Sequence, residues 1–247
     1  MVHLVFQHRK GSRNIGDREC CPAYWLPFDA QKTVQSLTDT VPPCDLAIFG
    51  GGQIYARAVE AVTQRAAAAR HCVTWAIGLQ AAKRKVDRAD QFQARMSLIG
   101  CRDVGIKGTE YVPCATCLAP GLQSATAPTR DAVLYLHATK SDAVERPDGI
   151  PCRTNHDGTL DEALAFIASG ETVITNSFHG TYWAMLMGRK VLCLPFSAKF
   201  RGFARMPALA DPGNWRADLP RAYALPGYLD DCIAANYAFR DKVMNLI

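Results

Sequence analysis

Short strand-like runs that end in glycine or a polar residue recur along the 247-residue chain, and they constrain its fold more than any other feature. Residues 45–49 form one such run, which ends in three glycines, and residues 72–77 form another, which ends at Gly78. Residues 53–70, between them, are rich in alanine and have a helical pattern. Strand, glycine turn, helix and strand in this order are typical of a parallel sheet covered by helices.

The same order of elements recurs through the rest of the chain. Further strands are predicted at residues 2–6, 98–102, 132–137, 172–175 and 190–194, and further helices at residues 160–168, 181–187 and 228–243. Residues 11–17 have the composition of a loop, and residues 121–130 lack periodicity and form the predicted linker. The sequence therefore predicts two α/β domains, at residues 1–125 and 126–247.

Composition narrows the class of protein and of ligand. No apolar stretch approaches the ~20 residues of a membrane-spanning helix, and charged residues come too early in the N-terminal segment for a secretory signal. We expect a cytoplasmic protein, with a peripheral position at the inner face of the membrane as an alternative. The 28 Lys+Arg exceed the 23 Asp+Glu without a long basic run, which favours a small anionic substrate and argues against nucleic acid.

The ten cysteines are scattered along the chain, and buried free thiols are the simplest interpretation. Cys114 and Cys117 alone have the spacing of metal ligands. A structural zinc site needs a second such pair, and Cys20 and Cys21 are adjacent instead. Zinc binding and thioredoxin-like redox chemistry are open alternatives, but we predict no metal.

Polar residues at the ends of predicted strands are the first candidates for a site, because wound α/β sheets bind ligands at the carboxyl ends of their strands. Asn14 and Asp17 follow the first strand; the carboxylate suits taking a proton from a hydroxyl or holding a sugar, and a helix N-cap is the alternative. Gly51 and Gly52 follow the second strand and allow the backbone to approach a ligand, or simply form a tight turn.

A second group of candidates lies in residues 173–186, where polar residues separate a strand from a helix. Ser177, His179, Gly180 and Thr181 cluster at this junction. A capped turn explains Ser177 or Thr181 but leaves the imidazole unexplained. His179 is therefore the strongest single candidate for chemistry in the sequence.

Basic residues at two further strand ends complete the set. Arg102 suits two-point binding of a carboxylate or phosphate, or an ion pair with its neighbour Asp103. Lys199 and Arg201 follow the strand next to His179, where they either face the same crevice or form a solvated basic turn.

Taken in order, these motifs resemble the polysaccharide pyruvyl transferase family. The resemblance is carried by NIGD at residues 14–17, AIFGGG at 47–52, WAIG at 75–78, CRD at 101–103 and, above all, VITNSFHGTYWAMLMGRKVLCLPF at 173–196 followed by Lys199. It implies a GT-B-like fold, in which two Rossmann-like parallel-sheet domains face a cleft. The N-terminal domain is expected on the acceptor side and the C-terminal domain on the donor side.

The resemblance also implies an activity. Family members move the enolpyruvyl part of phosphoenolpyruvate onto a sugar of a surface polysaccharide or exopolysaccharide and close it as a cyclic ketal. By motif position, His179 matches the family's functional histidine, Arg102 and Asp103 its arginine-aspartate pair, and Asp17 its N-terminal loop acid. The implied partners are phosphoenolpyruvate, as donor substrate rather than cofactor, and a saccharide that is free, nucleotide-linked or lipid-linked.

Two departures from the family pattern keep other functions open. Phe178 stands where many members have a basic residue, so Lys199 or Arg201 is expected to supply the missing contact. Residues 112–117 replace an Asp-Pro pair. The alternatives are a GT-B-like glycosyltransferase that uses a nucleotide sugar and a non-catalytic relative that binds glycans or anions.

Overall fold

The computed structural model describes residues 1–53, 59, 68–79, 89–124 and 126–247. These residues form two parallel sheets, of six and five strands. The first sheet contains β1 (His3–His8), β2 (Gln31–Ser36), β3 (Cys44–Gly52), β4 (Ala69–Ile77), β5 (Leu98–Cys101) and β6 (Glu110–Tyr111). Its strand order is β2-β1-β3-β4-β5-β6. The central strands β1, β3 and β4 are largely buried, as their apolar runs require.

The second sheet follows the same principle. It contains β7 (Arg130–Leu136), β8 (Cys152–Thr154), β9 (Gly170–Thr175), β10 (Lys190–Cys193) and β11 (Ala208–Leu209), in the order β11-β10-β9-β7-β8. Strand order reverses between β1 and β3 in the first sheet and between β7 and β9 in the second. Such reversals open a crevice at the carboxyl ends of the strands, where ligands of wound sheets bind.

Helices cover both sheets. They are α1 (Ile15–Glu19), α2 (Ala89–Arg95), α3 (Pro120–Gln123), α4 (Leu160–Ser169), α5 (Phe178–Leu186), α6 (Trp215–Asp218) and α7 (Tyr228–Met244), with 3₁₀ turns at Pro22–Tyr24, Ala115–Leu118, Ala198–Arg201 and Leu219–Arg221. Helix α4 begins in a capping box, in which the Thr159 hydroxyl accepts from the Glu162 N–H and the Glu162 carboxylate accepts from the Thr159 N–H.

The central strands confirm the sequence prediction, and three local predictions are corrected. Residues 11–17 are not wholly loop, because α1 begins at Ile15 behind the cap Asn14. Helix α5 begins three residues before the predicted start, at Phe178, because Ser177 caps it. The predicted helix at residues 53–70 falls largely on residues 54–58 and 60–67, which lie outside the described residues, and Ala69 and Arg70 belong to β4.

The predicted linker, residues 121–130, contains the end of α3 and reaches β7 at Arg130. Domain limits at residues 125 and 126 stay a prediction. Within the described residues, no helix is both long and apolar enough to cross a bilayer.

The carboxyl ends of the two sheets face each other across a cleft. The Ile15 N–H at the start of α1, in the first half, donates to the Asn155 carbonyl beyond β8, in the second half, at 2.9 Å. Gly16 lies so close to the α5 histidine that a Cβ there would overlap the imidazole ring of His179. The elements that follow β1 and β9 are therefore in direct contact.

Candidate active site

A pocket of 270 Å³ lies in this cleft, at the carboxyl ends of strands from both sheets. It is lined by Arg9, Asn14, Asp17, Gln53, Arg102, His137, Phe178, His179 and Lys199. The lining carries three cations, Arg9, Arg102 and Lys199, and one carboxylate, Asp17. This balance of charge favours an anionic ligand.

His179 lies in the first turn of α5, directly after β9. The Ser177 hydroxyl caps this helix by accepting from the Gly180 N–H at 3.3 Å, which fixes where the first turn begins. The imidazole is 3% exposed, and its Nε2 lies 3.7 Å from the Cys114 sulfur. Burial lowers the pKa of His179 well below its usual value, and Arg102 and Lys199 lower it further. The ring is therefore neutral at pH 7 in the free protein.

Arg102, directly after β5, is held against an aromatic face. Its guanidinium carbon lies 3.7 Å from the centroid of the Phe178 ring, and Phe178 stacks at 4.6 Å on Phe203. Arg102 is only 5% exposed, and its Nε and Nη1 have no hydrogen-bond acceptor among the described residues. The Phe178 ring thus holds the Arg102 guanidinium in place by a cation–π contact. In this way the residue before His179 helps to position a positive charge at the pocket.

Lys199 brings a second cation to the pocket from the 3₁₀ turn Ala198–Arg201. Its Nζ lies 4.5 Å from the centroid of Phe196 and 5.0 Å from that of Phe200. Burial and then the charge of Arg102 lower the pKa of Lys199 to about 8. Arg201 is exposed and does not line the pocket, because residues two apart on a 3₁₀ turn project to different sides.

Asp17, in α1, supplies the carboxylate. It pairs with Arg9 at 2.7 Å, and it is 9% exposed. Gly52, at the end of β3, lies close to it, because a Cβ there would be 3.1 Å from Asp17 Oδ1. Asn14 lines the pocket and also caps α1, since its Oδ1 accepts from the Gly16 N–H at 3.1 Å. Asn14 can therefore cap α1 and bind a ligand in the pocket at the same time.

The remaining predicted residues support the site without lining the pocket. Asp103 accepts from the Leu79 N–H at 2.5 Å and packs against Gly202, so it ties together the loops around Arg102. The Thr181 hydroxyl is fully buried and donates to the Ser177 carbonyl at 2.9 Å.

Two predicted glycines are explained by close packing. A Cβ at Gly180 would meet Tyr135 at 2.5 Å, so glycine lets α5 pack closely on β7. Gly51 has a φ of +79° and abuts Cys20, which agrees with the tight-turn interpretation.

Three pocket residues were not among the predicted site residues: Arg9, Gln53 and His137, of which His137 was expected to be structural or on the surface. Each directly follows a strand of the structure, β1, β3 and β7 respectively, and the predicted strands before Arg9 and Gln53 ended too early for the strand-end rule to select these two residues. His137 is half-buried, and burial followed by the charge of Lys199 lowers its pKa to about 4. It is a neutral hydrogen-bonding group at pH 7.

A second cavity of 360 Å³ adjoins the pocket. The two share Arg9, Asn14, Asp17 and His137. Its other lining residues are Gly11, Ser12, Arg13, Thr139 and His156. Asp17 thus stands at the boundary between two neighbouring spaces.

The cysteines are free thiols, and most of them are buried. All ten are described and free, and eight of them are buried. Within the described part of the chain, no group of three or more His, Cys, Asp or Glu side chains is arranged to hold a metal ion. Cys114 directly precedes the buried 3₁₀ turn Ala115–Leu118, Cys117 lies within it, and the turn packs against α7.

Comparisons with known proteins extend this picture. The UDP-GlcNAc 2-epimerase from Methanocaldococcus jannaschii is similar in structure, with a TM-score of 0.52 and 8% identity over 98% of this chain and 99% of that chain. A putative UDP-N-acetylglucosamine 2-epimerase from Listeria monocytogenes matches with a TM-score of 0.45 and 9% identity over 80% of each chain. At 8% identity, the likeness to the Methanocaldococcus jannaschii structure concerns the fold alone, which is GT-B-like.

Among curated protein sequences, none matches the chain. A family model described as polysaccharide pyruvyl transferase matches residues 6–197. The matched region contains every lining residue of the 270 Å³ pocket except Lys199. The chain therefore belongs to the polysaccharide pyruvyl transferase family.

Proposed function

We propose that this protein transfers the pyruvyl group of phosphoenolpyruvate to two hydroxyls of a saccharide, as a cyclic ketal. The observation that carries the proposal is a pair of pocket cations that form no ion pair with any described acidic residue. Neither Arg102 nor Lys199 forms an ion pair with any residue that the structure describes. Positive charge withdrawn from water is unfavourable unless it is paired, so an anion is expected there. Phosphoenolpyruvate carries both a phosphate and a carboxylate, which suits two cations.

The reaction needs an acid, and His179 is our candidate. An anion beside the imidazole raises its pKa and opposes the effect of Arg102 and Lys199, so donor binding favours uptake of a proton. His179 then delivers that proton to the methylene carbon of the donor, which becomes a methyl group while C2 becomes oxocarbenium-like. Arg102 and Lys199 stabilise the phosphate as it leaves.

The reaction also needs the acceptor hydroxyls in place, and Asp17 is our candidate for this step. The two hydroxyl oxygens bond to C2, and the bond from C2 to the phosphate oxygen breaks. Of the two hydroxyl protons, one balances the proton gained by the methyl group and the other leaves with phosphate. Asp17 lines both cavities, so it suits a base that receives hydroxyl protons from a saccharide in the 360 Å³ cavity. The proposal covers a free, nucleotide-linked or lipid-linked acceptor, and a cytoplasmic location with a peripheral position at the inner face of the membrane as the alternative.

The test is an assay of phosphate release from phosphoenolpyruvate with a panel of glycans, and mass spectrometry of each glycan for an added pyruvate. We expect release that depends on one acceptor class. A His179→Gln variant should lose about 10²- to 10⁴-fold in kcat, the usual contribution of a positioned acid. A Cys152→Ser variant, at an exposed thiol outside both cavities, is the matched control and should keep full turnover. Turnover of a nucleotide sugar instead, or full activity of the glutamine variant, contradicts the proposal.

A further inference from the structure

A chain of buried polar side chains leads from the interior of α5 to the candidate acid. The Trp183 Nε1–H donates to the Thr116 hydroxyl at 3.0 Å. The Thr116 hydroxyl donates to the Cys114 sulfur at 3.2 Å. That sulfur lies 3.7 Å from His179 Nε2. All four residues are at most 3% exposed, so water does not compete for these contacts.

The hydrogen-bonding capacity of each side chain sets the direction of the hydrogen bonds in this series. An indole N–H can only donate, so the Thr116 oxygen accepts from Trp183 and its own hydrogen is directed to the Cys114 sulfur. The backbone N–H of Thr116 also faces that sulfur. The sulfur therefore already receives hydrogen bonds from Thr116, and its own hydrogen remains to be donated. Among the described residues, His179 Nε2 is the acceptor that the thiol can reach.

Both members of the thiol–imidazole pair are neutral. Burial raises the pKa of the Cys114 thiol, although its contacts with Thr116 oppose the shift. Burial also lowers the pKa of His179, as described above. Because both groups are neutral, they do not form a thiolate–imidazolium pair. The one hydrogen between the Cys114 sulfur and His179 Nε2 is therefore bound either to the sulfur or to the nitrogen. The contacts of Thr116 decide which side carries it.

We propose that Thr116 and Cys114 are positioning residues that fix His179 in one tautomer, with the hydrogen on Nδ1 and Nε2 accepting from the thiol. Nδ1 is then the ring nitrogen left to donate to a ligand in the pocket. It lies on the side of the ring next to Gly16, where a side chain would displace the imidazole. The catalytic consequence rests on the proposed function; the tautomer itself does not.

The test reads the tautomer directly, from the ¹⁵N chemical shifts of the histidine rings at pH 7 without any substrate. Comparison with a His179→Gln variant assigns the signals of His179. We expect a protonated Nδ1 and an unprotonated Nε2 in the wild type. Thr116→Val keeps the shape of the side chain but removes the hydroxyl, so the sulfur becomes free to accept from Nε2–H. The spectrum should then shift towards the Nε2–H tautomer.

Two further variants make the test specific. Cys114→Ser keeps a donor next to Nε2 and should keep the wild-type tautomer, whereas Cys114→Ala should lose it. Thr74→Val is the matched control, because Thr74 is also fully buried and its hydroxyl donates to the Gly100 carbonyl, away from this chain. It should leave the His179 signals unchanged.

Activity provides a second reading. If His179 is the acid, Thr116→Val should lower kcat roughly 10-fold, as loss of a partner that orients a functional histidine does, with little change in KM for phosphoenolpyruvate. An Nε2–H tautomer in the wild type, or an unchanged spectrum in Thr116→Val, overturns the inference. A protein with the expected tautomer but no pyruvyl transfer would instead overturn the proposed function alone.

Discussion

At the scale of single residues, Phe178 determines how the positively charged Arg102 side chain is positioned at the pocket. The residue directly before His179 is an aromatic ring in this chain rather than a basic side chain. The ring lies between Phe203 and the Arg102 guanidinium. A planar guanidinium on a desolvated aromatic face is stabilised by up to about 2 kcal/mol, so the ring fixes the direction of the cation as well as its position.

The first prediction follows from this contact. Phe178→Leu removes the aromatic face but keeps a buried apolar side chain, so Arg102 should lose its fixed orientation. We expect KM for phosphoenolpyruvate to rise about 5- to 30-fold, the equivalent of about 1–2 kcal/mol. Phe178→Trp, which retains an aromatic face, is the matched variant and should bind the donor more tightly than the leucine variant. Equal KM values in steady-state kinetics for the wild type and Phe178→Leu would show that the ring does not position the cation.

Lys199 predicts the pH dependence of donor capture. Its pKa is lowered to about 8, so the side chain is mostly charged at pH 7 and loses its charge as pH rises through 8. Because kcat/KM reports the free enzyme, kcat/KM for phosphoenolpyruvate should fall above pH 8. Lys199→Arg should abolish this fall, since a guanidinium stays charged throughout that range. An unchanged alkaline limb in the arginine variant would assign the titration to another group.

The strand-end rule located much of the pocket because it is a property of parallel sheets rather than of any one side chain. Asp17, Arg102, His179 and Lys199, which this rule selected, line one pocket in the structure. It does not say which way a side chain turns, and so it gave no reason to separate Lys199 from the exposed Arg201. Cys114 was also beyond it, because a buried contact with His179 across 65 residues leaves no local pattern.

At the scale of elements, the strands that the sequence analysis did not predict share one property. They are β2, β6, β8 and β11, the edge strands of the two sheets. An edge strand pairs on one side only and is less buried, so it needs no continuous apolar run. The sequence QKTVQS of β2 is largely polar, and β6 and β11 have only two residues each. The central strands are buried on both faces and were therefore visible in the sequence.

At the scale of the whole molecule, the last helix, α7, packs against residues from the first half of the chain. Helix α7 follows the second sheet in sequence but packs against the first. The Trp75 Nε1–H of β4 donates to Asn236 Oδ1 of α7 at 2.9 Å, and Asn236 Nδ2 donates to the Pro113 carbonyl at 3.2 Å. Phe239, one turn later, packs edge-on against Trp75 at 4.9 Å. No local pattern encodes a contact across 161 residues.

Residues near Pro113 also contact helix α5, which belongs to the second half of the chain. The Tyr182 hydroxyl of α5 donates to the Cys114 carbonyl at 3.0 Å, one residue from the carbonyl that Asn236 binds. Residues 113–117 are thus held from α5 on one side and from α7 on the other. Since the pocket is built from the strand ends of both sheets, its geometry depends on this junction.

The last prediction tests whether Asn236 stabilises the junction. Asn236→Leu has a similar volume but leaves the buried Trp75 N–H without an acceptor, so the free energy of unfolding should fall by about 1–3 kcal/mol. In a Trp75→Phe background there is no indole N–H to leave unpaired, and the same substitution should have a smaller effect, measured by denaturant unfolding of all four proteins. Ala238→Ser, on the exposed face of α7, should change stability by less than about 0.5 kcal/mol. Equal losses in both backgrounds would place the stabilising contribution of Asn236 in its bonds to Pro113 and Cys117 rather than in its bond to Trp75.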